Sequence, residues 1–168
     1  MPLPEFLSDL RARVGHDLLW LPAVSAVVID DAGRLLLGRR ADTAEWAVIS
    51  GILEPGEEPG PGAVREVAEE TGVQIEVVAL TSISATDVVE YPNRDRAQYL
   101  DLCFWCRPIG GQARVADDES LEVGWFAPDA LPTPLAASSV QRIARMIAFA
   151  AATRDGRTPP PWMATPPR

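Results

Sequence analysis

Cysteine, histidine and positive charge are all scarce in this chain, and each shortage removes a class of function. Of 168 residues, two are cysteine and one is histidine. Cys103 and Cys106 form a C-x-x-C, but no second cysteine pair and no nearby histidine completes a zinc site. On a strand the two would point to opposite faces of a sheet, so buried, reduced thiols are expected. His16 follows Gly15 near the N-terminus, remote in sequence from the other candidate chemistry, and no catalytic role is expected of it. No apolar run is long enough to cross a membrane, and no signal-peptide core appears. Residues 142–152 come nearest, but the stretch is short and interrupted by Arg145. The expected location is therefore cytoplasmic, with no membrane partner. Basic residues number 15 against 24 acidic ones, a formal net charge of −9 with a pI near 4.6. That balance argues against binding a nucleic acid polymer or an anionic membrane surface. A small phosphate ligand stays open, because a bound cation reverses the local sign.

What is present reads as one globular unit. Apolar residues make up 47% and charged residues 23%, a composition that supports a core rather than disorder. The length suits a single domain, expected over 1–153 with an N-terminal helical extension, followed by a Pro-rich tail over 154–168. Within it, Phe6, Leu7, Leu10 and Val14 recur at helical spacing over 4–14. Such a helix could pad a sheet or contact a second subunit, and a homodimer is one use of it. Residues 22–29 and 34–38 read as a hairpin about the Asp30–Gly33 turn. A short strand WAVIS follows at 46–50, then a helix over 59–70 stopped by Gly72. Strands are expected at 74–83, 97–107 and 122–126, with turn chemistry at 91–95. A last helix over 138–152 would turn Val140, Ile143, Ile147 and Ala150 inward. Trp162 and Met163 could dock the tail. Mixed strands with helices on two sides give an α/β sandwich.

The densest chemistry lies in residues 51–73, GILEPGEEPGPGAVREVAEETGV. Glu66, Glu69 and Glu70 stand at i, i+3 and i+4 of the expected helix and so share a face. Carboxylates crowded in this way repel one another unless a cation neutralises them, and hard divalent cations prefer such oxygen ligands. A Mg2+ or Mn2+ site served by the preceding Gly/Pro-rich loop follows.

The order Gly51, Glu57, Arg65-Glu66, Glu69-Glu70 and Gly72-Val73, at these intervals, resembles the Nudix box at every defining position. The resemblance implies a Nudix-type α/β/α sandwich with a central mixed sheet. It also implies a metal-dependent hydrolase of a nucleoside diphosphate linked to another moiety. Glu69 and Glu70 are then the foremost metal ligands. Glu66 binds a second metal or orients the water, and the Gly51 carbonyl is a further ligand, glycine allowing close approach. Arg65 and Glu57 would brace the site, a guanidinium fork holding a carboxylate in one rotamer; a surface ion pair is the plainer alternative for Arg65. The general base is expected from a later loop, with Glu119 ahead of its neighbour Asp118 and a solvated acidic loop as the alternative.

Arg39 and Arg40 could reach a phosphate or could be solubilising charges. Trp46, Tyr91, Tyr99 and Trp125 could stack on a base or belong to the core. Where many members carry Pro-Gly before the box glycine, this chain has Ile49-Ser50, and it lacks the Ser-Gln-Pro-Trp-Pro array of NADH-cleaving members. ADP-ribose or another nucleotide sugar is the first substrate expected. A (d)NTP pyrophosphohydrolase of the pool-cleaning type comes second, and a nucleotide-sensing domain without turnover is the non-enzymatic rival.

Overall fold

Ten residues, Leu19–Val28 (β1), form the strand on which the fold is built. The last six of them are all buried, as befits a strand covered on both faces. The computed structural model of the chain describes residues 4–165, so the outermost residues of the expected domain and tail lie outside the described residues. The other elements are α1 (Glu5–Val14), β2 (Leu35–Arg40), β3 (Trp46–Ala47), β4 (Ile49–Ile52), α2 (Pro59–Thr71), β5 (Val73–Ala85), β6 (Val89–Glu90), β7 (Arg96–Gly111), β8 (Ser120–Phe126) and α3 (Ala137–Arg154). No helix among the described residues is long and apolar enough to cross a membrane.

The central sheet runs β4-β1-β7-β5, with β6 on β7. β1 and β7 are parallel and the remaining pairs antiparallel, so the sheet is mixed as expected. A second, antiparallel sheet has the order β3-β2-β8. α2 packs against β5, β4 and β1, whereas α3 packs against β5, β1 and β7. The layers are therefore α/β/α, with a core on each side of the central sheet. One gathers Val24, Ala26, Val28, Val67 and Cys106; the other gathers Val27, Leu37, Ile143, Met146 and Cys103. The two free cysteines thus face opposite sides of the sheet, both buried.

Two strand expectations need correction. Among the described residues β1 and β2 do not pair as strands; the isolated bridge Ile29 to Leu35, just past β1, is the backbone pairing at the turn between them. Both edges of β1 are already occupied by β4 and β7, so β2 departs into the second sheet. Likewise, WAVIS is not one strand. Trp46–Ala47 pairs with β2, Ile49–Ile52 pairs with β1, and between them Val48 N donates to Ser139 Oγ at 3.1 Å.

α3 also turns differently. Val140 and Ile147 are 50% and 41% exposed, while Ser139, Ile143, Met146 and Ala150 face inward. Serine can hold an inward position because its hydroxyl receives the Val48 N–H. α1 pads the sheet, its Leu7 buried against Leu21 and Ala97. The tail docks through Trp162, whose N donates to Thr81 O and whose O accepts from Ile83 N, with the Arg145 guanidinium 3.4 Å from its ring centre. Met163 stays exposed.

Candidate metal and hydrolysis site

α2 begins at Pro59, whose fixed φ suits a first helical position, and ends at Gly72, which adopts φ 68° as its C-cap. Its polar residues form two neighbouring i,i+4 rungs. Arg65 and Glu69 make one, Glu66 and Glu70 the other. Arg65 grips Glu57 with both arms, Nε to Oε1 at 2.7 Å and Nη2 to Oε2 at 2.9 Å. Glu57 also accepts the Glu54 N–H at 3.0 Å, so the loop is tied to the helix. The Arg65 hydrogen bonds hold the Glu57 carboxyl below its ordinary pKa, and Glu57 in turn raises that of Arg65. Arg65 Nη1 also lies 3.0 Å from both Glu66 Oε1 and Glu69 Oε2. The geometry is that of a brace.

The second rung is hidden. Glu66 and Glu70 are 5% and 7% exposed, whereas Glu69 is exposed and turned to Arg65. The three glutamates therefore differ in burial, although Glu66 and Glu69 meet at the same Arg65 Nη1. Burial, with repulsion from Glu69 and Glu119, pushes Glu66 up to about 7 against the pull of Arg65. Burial also pushes Glu70 up to about 8, helped by Glu119, Glu66 and Asp117 and opposed by Arg40. Gly51 pairs with Val24 on β1, and a Cβ on it would overlap the Glu66 carboxylate. Glycine is thus required there for the carboxylate to lie against the backbone.

The acidic loop is brought to the same place by backbone bonds. Arg114 N donates to Thr71 O at 3.0 Å and Ala116 N to Glu70 O at 3.1 Å, pinning the loop to the end of α2. Ala41 N donates to Glu119 O at 2.8 Å, pinning it to the end of β2. Glu119 so faces Glu66 and Glu70, while Asp118 is exposed. Asp117 was not singled out by the sequence, although it lies two residues before Glu119. Its Oδ1 accepts from Glu119 N at 3.0 Å, and its Oδ2 is buried without a hydrogen-bond partner.

As placed, no three acidic, histidine or cysteine side chains among the described residues converge closely enough to hold a metal ion. The donor chemistry nonetheless fits a hard divalent cation: crowded, buried carboxylate oxygens beside a glycine backbone. Glu66 and Glu70 are the buried carboxylates of this set, the Glu66 carboxylate lies against Gly51, and Glu69 is held by Arg65.

Beside this cluster opens a cleft of about 390 Å³. Glu119 and Arg40 stand at its boundary with the acidic cluster, and Asn93 and Asp95 belong to the turn on its wall. Arg40 is held by Asp42 through two bonds of 2.9 and 2.7 Å, and its charge is felt by Glu70. Arg39 is instead paired with Glu122 at 2.7 Å on the second sheet. Tyr91 lines the cleft with its hydroxyl 2.7 Å from that of Tyr99. Trp46 is 9% exposed and packs edge-on against Phe126, a core position with no open ring face for a base. Trp125 packs against the α2-side core, with the Arg34 guanidinium 6.0 Å from its ring centre. His16 bonds Asp95, on the turn that walls the cleft, at 2.7 Å.

Comparison with known proteins matches the chain to a family model described as NUDIX domain, over residues 19–148. The chain is similar to a MutT-like protein of Streptomyces ambofaciens, 42% identical over 107 residues, which are 64% of this chain and 64% of that protein. It is also similar to the 8-oxo-dGDP phosphatase of Mus musculus, 32% identical over 149 residues, 85% of this chain and 42% of that one. The chain thus spans less than two thirds of the length of these curated relatives. Among solved structures, a UDP-X diphosphatase superposes with a TM-score of 0.66 at 23% identity, over 89% of this chain and 72% of the other. At that identity the likeness is one of fold.

Proposed function

Since the chain belongs to the NUDIX family, hydrolases that act on phosphorus-containing anhydrides, we propose that it cleaves a phosphoanhydride bond of a nucleoside diphosphate derivative with Mg2+ or Mn2+ at Glu66, Glu70, Glu69 and the Gly51 carbonyl. The observation that carries this reading is the buried Glu66–Glu70 rung facing Glu119 beside a cleft. A divalent metal there supplies charge screening of the phosphate oxygens and a lowered pKa for a bound water. The chain's own residues do the rest. Arg65 and Glu57 hold the loop against α2, Arg40 offers positive charge where the phosphates would lie, and Glu119 accepts a proton from the attacking water.

A single nucleoside with its phosphates suits the cleft volume, and the sequence likeness to an 8-oxo-dGDP phosphatase supports a nucleoside di- or triphosphate as substrate. The nucleotide-sugar expectation is supported by fold likeness alone and ranks second. A hydrolysis screen of (d)NTPs, (d)NDPs, nucleotide sugars and dinucleoside polyphosphates, with mass analysis of products, tests both. Turnover is expected only with Mg2+ or Mn2+. Equal turnover in EDTA overturns the metal assignment, and a normal rate in Glu119→Gln moves the base to Glu66. Nucleotide binding without any turnover would favour the sensing domain, against which the intact glutamates argue.

A further inference from the structure

The match to the family begins at residue 19, yet one wall of the cleft is built from residues that precede it. α1 contributes Leu7 and Arg11 to that wall. Leu7 is 3% exposed and seats the helix against Leu21 and Ala97. Arg11 fastens it from the other side. Nη2 donates to Arg96 O at 2.8 Å, Nη1 to Asp17 O at 2.7 Å, and Nε lies 3.6 Å from Asp95. The bond to Arg96 O fastens α1, one wall of the cleft, to the start of β7.

Tyr91 and Tyr99 also line the cleft, their hydroxyls 2.7 Å apart. Two hydroxyls carry two hydrogens, and the bond between them uses one. One O–H donor and several lone pairs therefore remain for a ligand. Burial raises the Tyr99 pKa. Apolar Leu7 and Leu21 with this polar pair give the mixture that suits a planar base: flat apolar contact and a few oriented hydrogen bonds. At about 390 Å³ the space lies near the small end of ligand clefts, which run from about 300 to 1,000 Å³.

We infer that α1 and the Tyr91–Tyr99 pair form the specificity site: the cleft between them receives the nucleobase, α1 supplies one wall of it, and the tyrosine hydroxyls bond a polar edge of the base. The inference rests on the proposed hydrolase only for the end at which the anhydride lies, next to Glu119.

The test uses the full chain in EDTA, where turnover is suppressed. Calorimetric titration compares the common nucleoside 5′-monophosphates with ribose 5-phosphate. The readout is selectivity, the affinity for the best nucleoside monophosphate over that for ribose 5-phosphate. Wild type is expected to prefer the nucleotide by about tenfold or more, the scale of one or two net contacts. Tyr91→Phe, Tyr99→Phe and Arg11→Met are each expected to cut that selectivity by roughly fivefold, with ribose 5-phosphate affinity unchanged. Thermal melts identify a variant that fails to fold; the tyrosine variants delete one oxygen each and carry the test if Arg11→Met does fail. Wild-type selectivity in both folded tyrosine variants overturns the inference, as does a wild type without preference for the nucleotide. If the hydrolysis screen fails while selectivity falls as expected, the hydrolase reading is lost and the specificity site stands. If metal-dependent hydrolysis is found and selectivity is untouched, the specificity site is lost and the hydrolase reading stands.

Discussion

Asp101 on one side of the molecule and the Glu66–Glu70 rung on the other are about equally hidden, at 1%, 5% and 7% exposure, yet their surroundings differ in kind. Asp101 accepts from Ser25 Oγ at 2.6 Å and from Arg142 Nε at 2.9 Å, so its charge is met inside the protein and ties α3 to the central sheet. Glu70 is faced by Glu119, Glu66 and Asp117, with Arg40 as the opposing cation. Burial alone therefore does not mark a functional acid. A buried carboxylate with a matched cation is architecture, whereas buried carboxylates facing one another ask for a cation from outside.

The strongest way to break this contrast is to neutralise one member of each site. Glu70→Gln should lower kcat on the order of a thousandfold, with the fold retained. Steady-state kinetics alongside circular dichroism checks it, and unchanged metal-dependent turnover would remove Glu70 from the site. Arg142→Met should do the reverse: leaving Asp101 buried without its cation should cost about 3 kcal/mol of stability, read by urea unfolding, while kcat per folded molecule stays at the wild-type value. A sizeable fall in kcat there would blur the division between the two sites. Arg65→Lys keeps the charge but loses the two-armed grip on Glu57, and kcat/KM should drop about tenfold. A lysine variant with wild-type kinetics would reduce Arg65 to a surface ion pair.

The smallest effect is thermodynamic and concerns the metal-free protein. Glu66 and Glu70 are raised to about 7 and about 8 from an ordinary 4.5. Between those limits the folded chain holds more protons than the unfolded one, so stability falls as pH rises through that window. Asp42 and Glu57, lowered by their bonds to Arg40 and Arg65, stabilise the fold above the ordinary carboxylate range and lose that contribution as acid protonates them. The melting temperature in EDTA should thus peak in mildly acidic solution and decline toward about pH 8. Mg2+ should restore it at about pH 8 and do little near pH 5. A melting profile flat from about pH 5 to 8 would contradict the crowding on α2.

The parts of this molecule that are legible in the sequence are those that local chemistry determines. Pro59 and Gly72 bracket α2 because one fixes φ and the other tolerates φ 68°. Arg65 reaches back to Glu57 because only Glu58 and the first turns of α2 separate them. Cys103 and Cys106 part to opposite faces because strand side chains alternate. What was not legible depends on partners distant in the chain. Nothing around Val48 announces that Ser139 will take its N–H and pass the chain from one sheet to the other. α3 carries apolar residues on more than one stripe, so Val140 and Ile147 look as fit for the core as Met146 until Ser139 finds that donor. Glu69 has the spacing to join Glu66 and Glu70, but Arg65, one turn earlier, competes for it. Trp46 looks like a ligand contact until Phe126 closes on it from β8.

The parallel pairing of β1 with β7 has a consequence in time. It joins Leu19 to Ala97 and carries on to Val28 with Cys106, closing a loop that contains β2, β3, β4, α2, β5 and β6. Contacts so distant along the chain form slowly, because loop-closure entropy is lost before the pairing returns it. The braced loop and helix at Glu57 and Arg65 are local and can assemble early. Glu119, held in place by Ala41 and by the end of α2, comes from beyond the closing strand. A refolding chain should therefore recover its helical signal before it recovers activity.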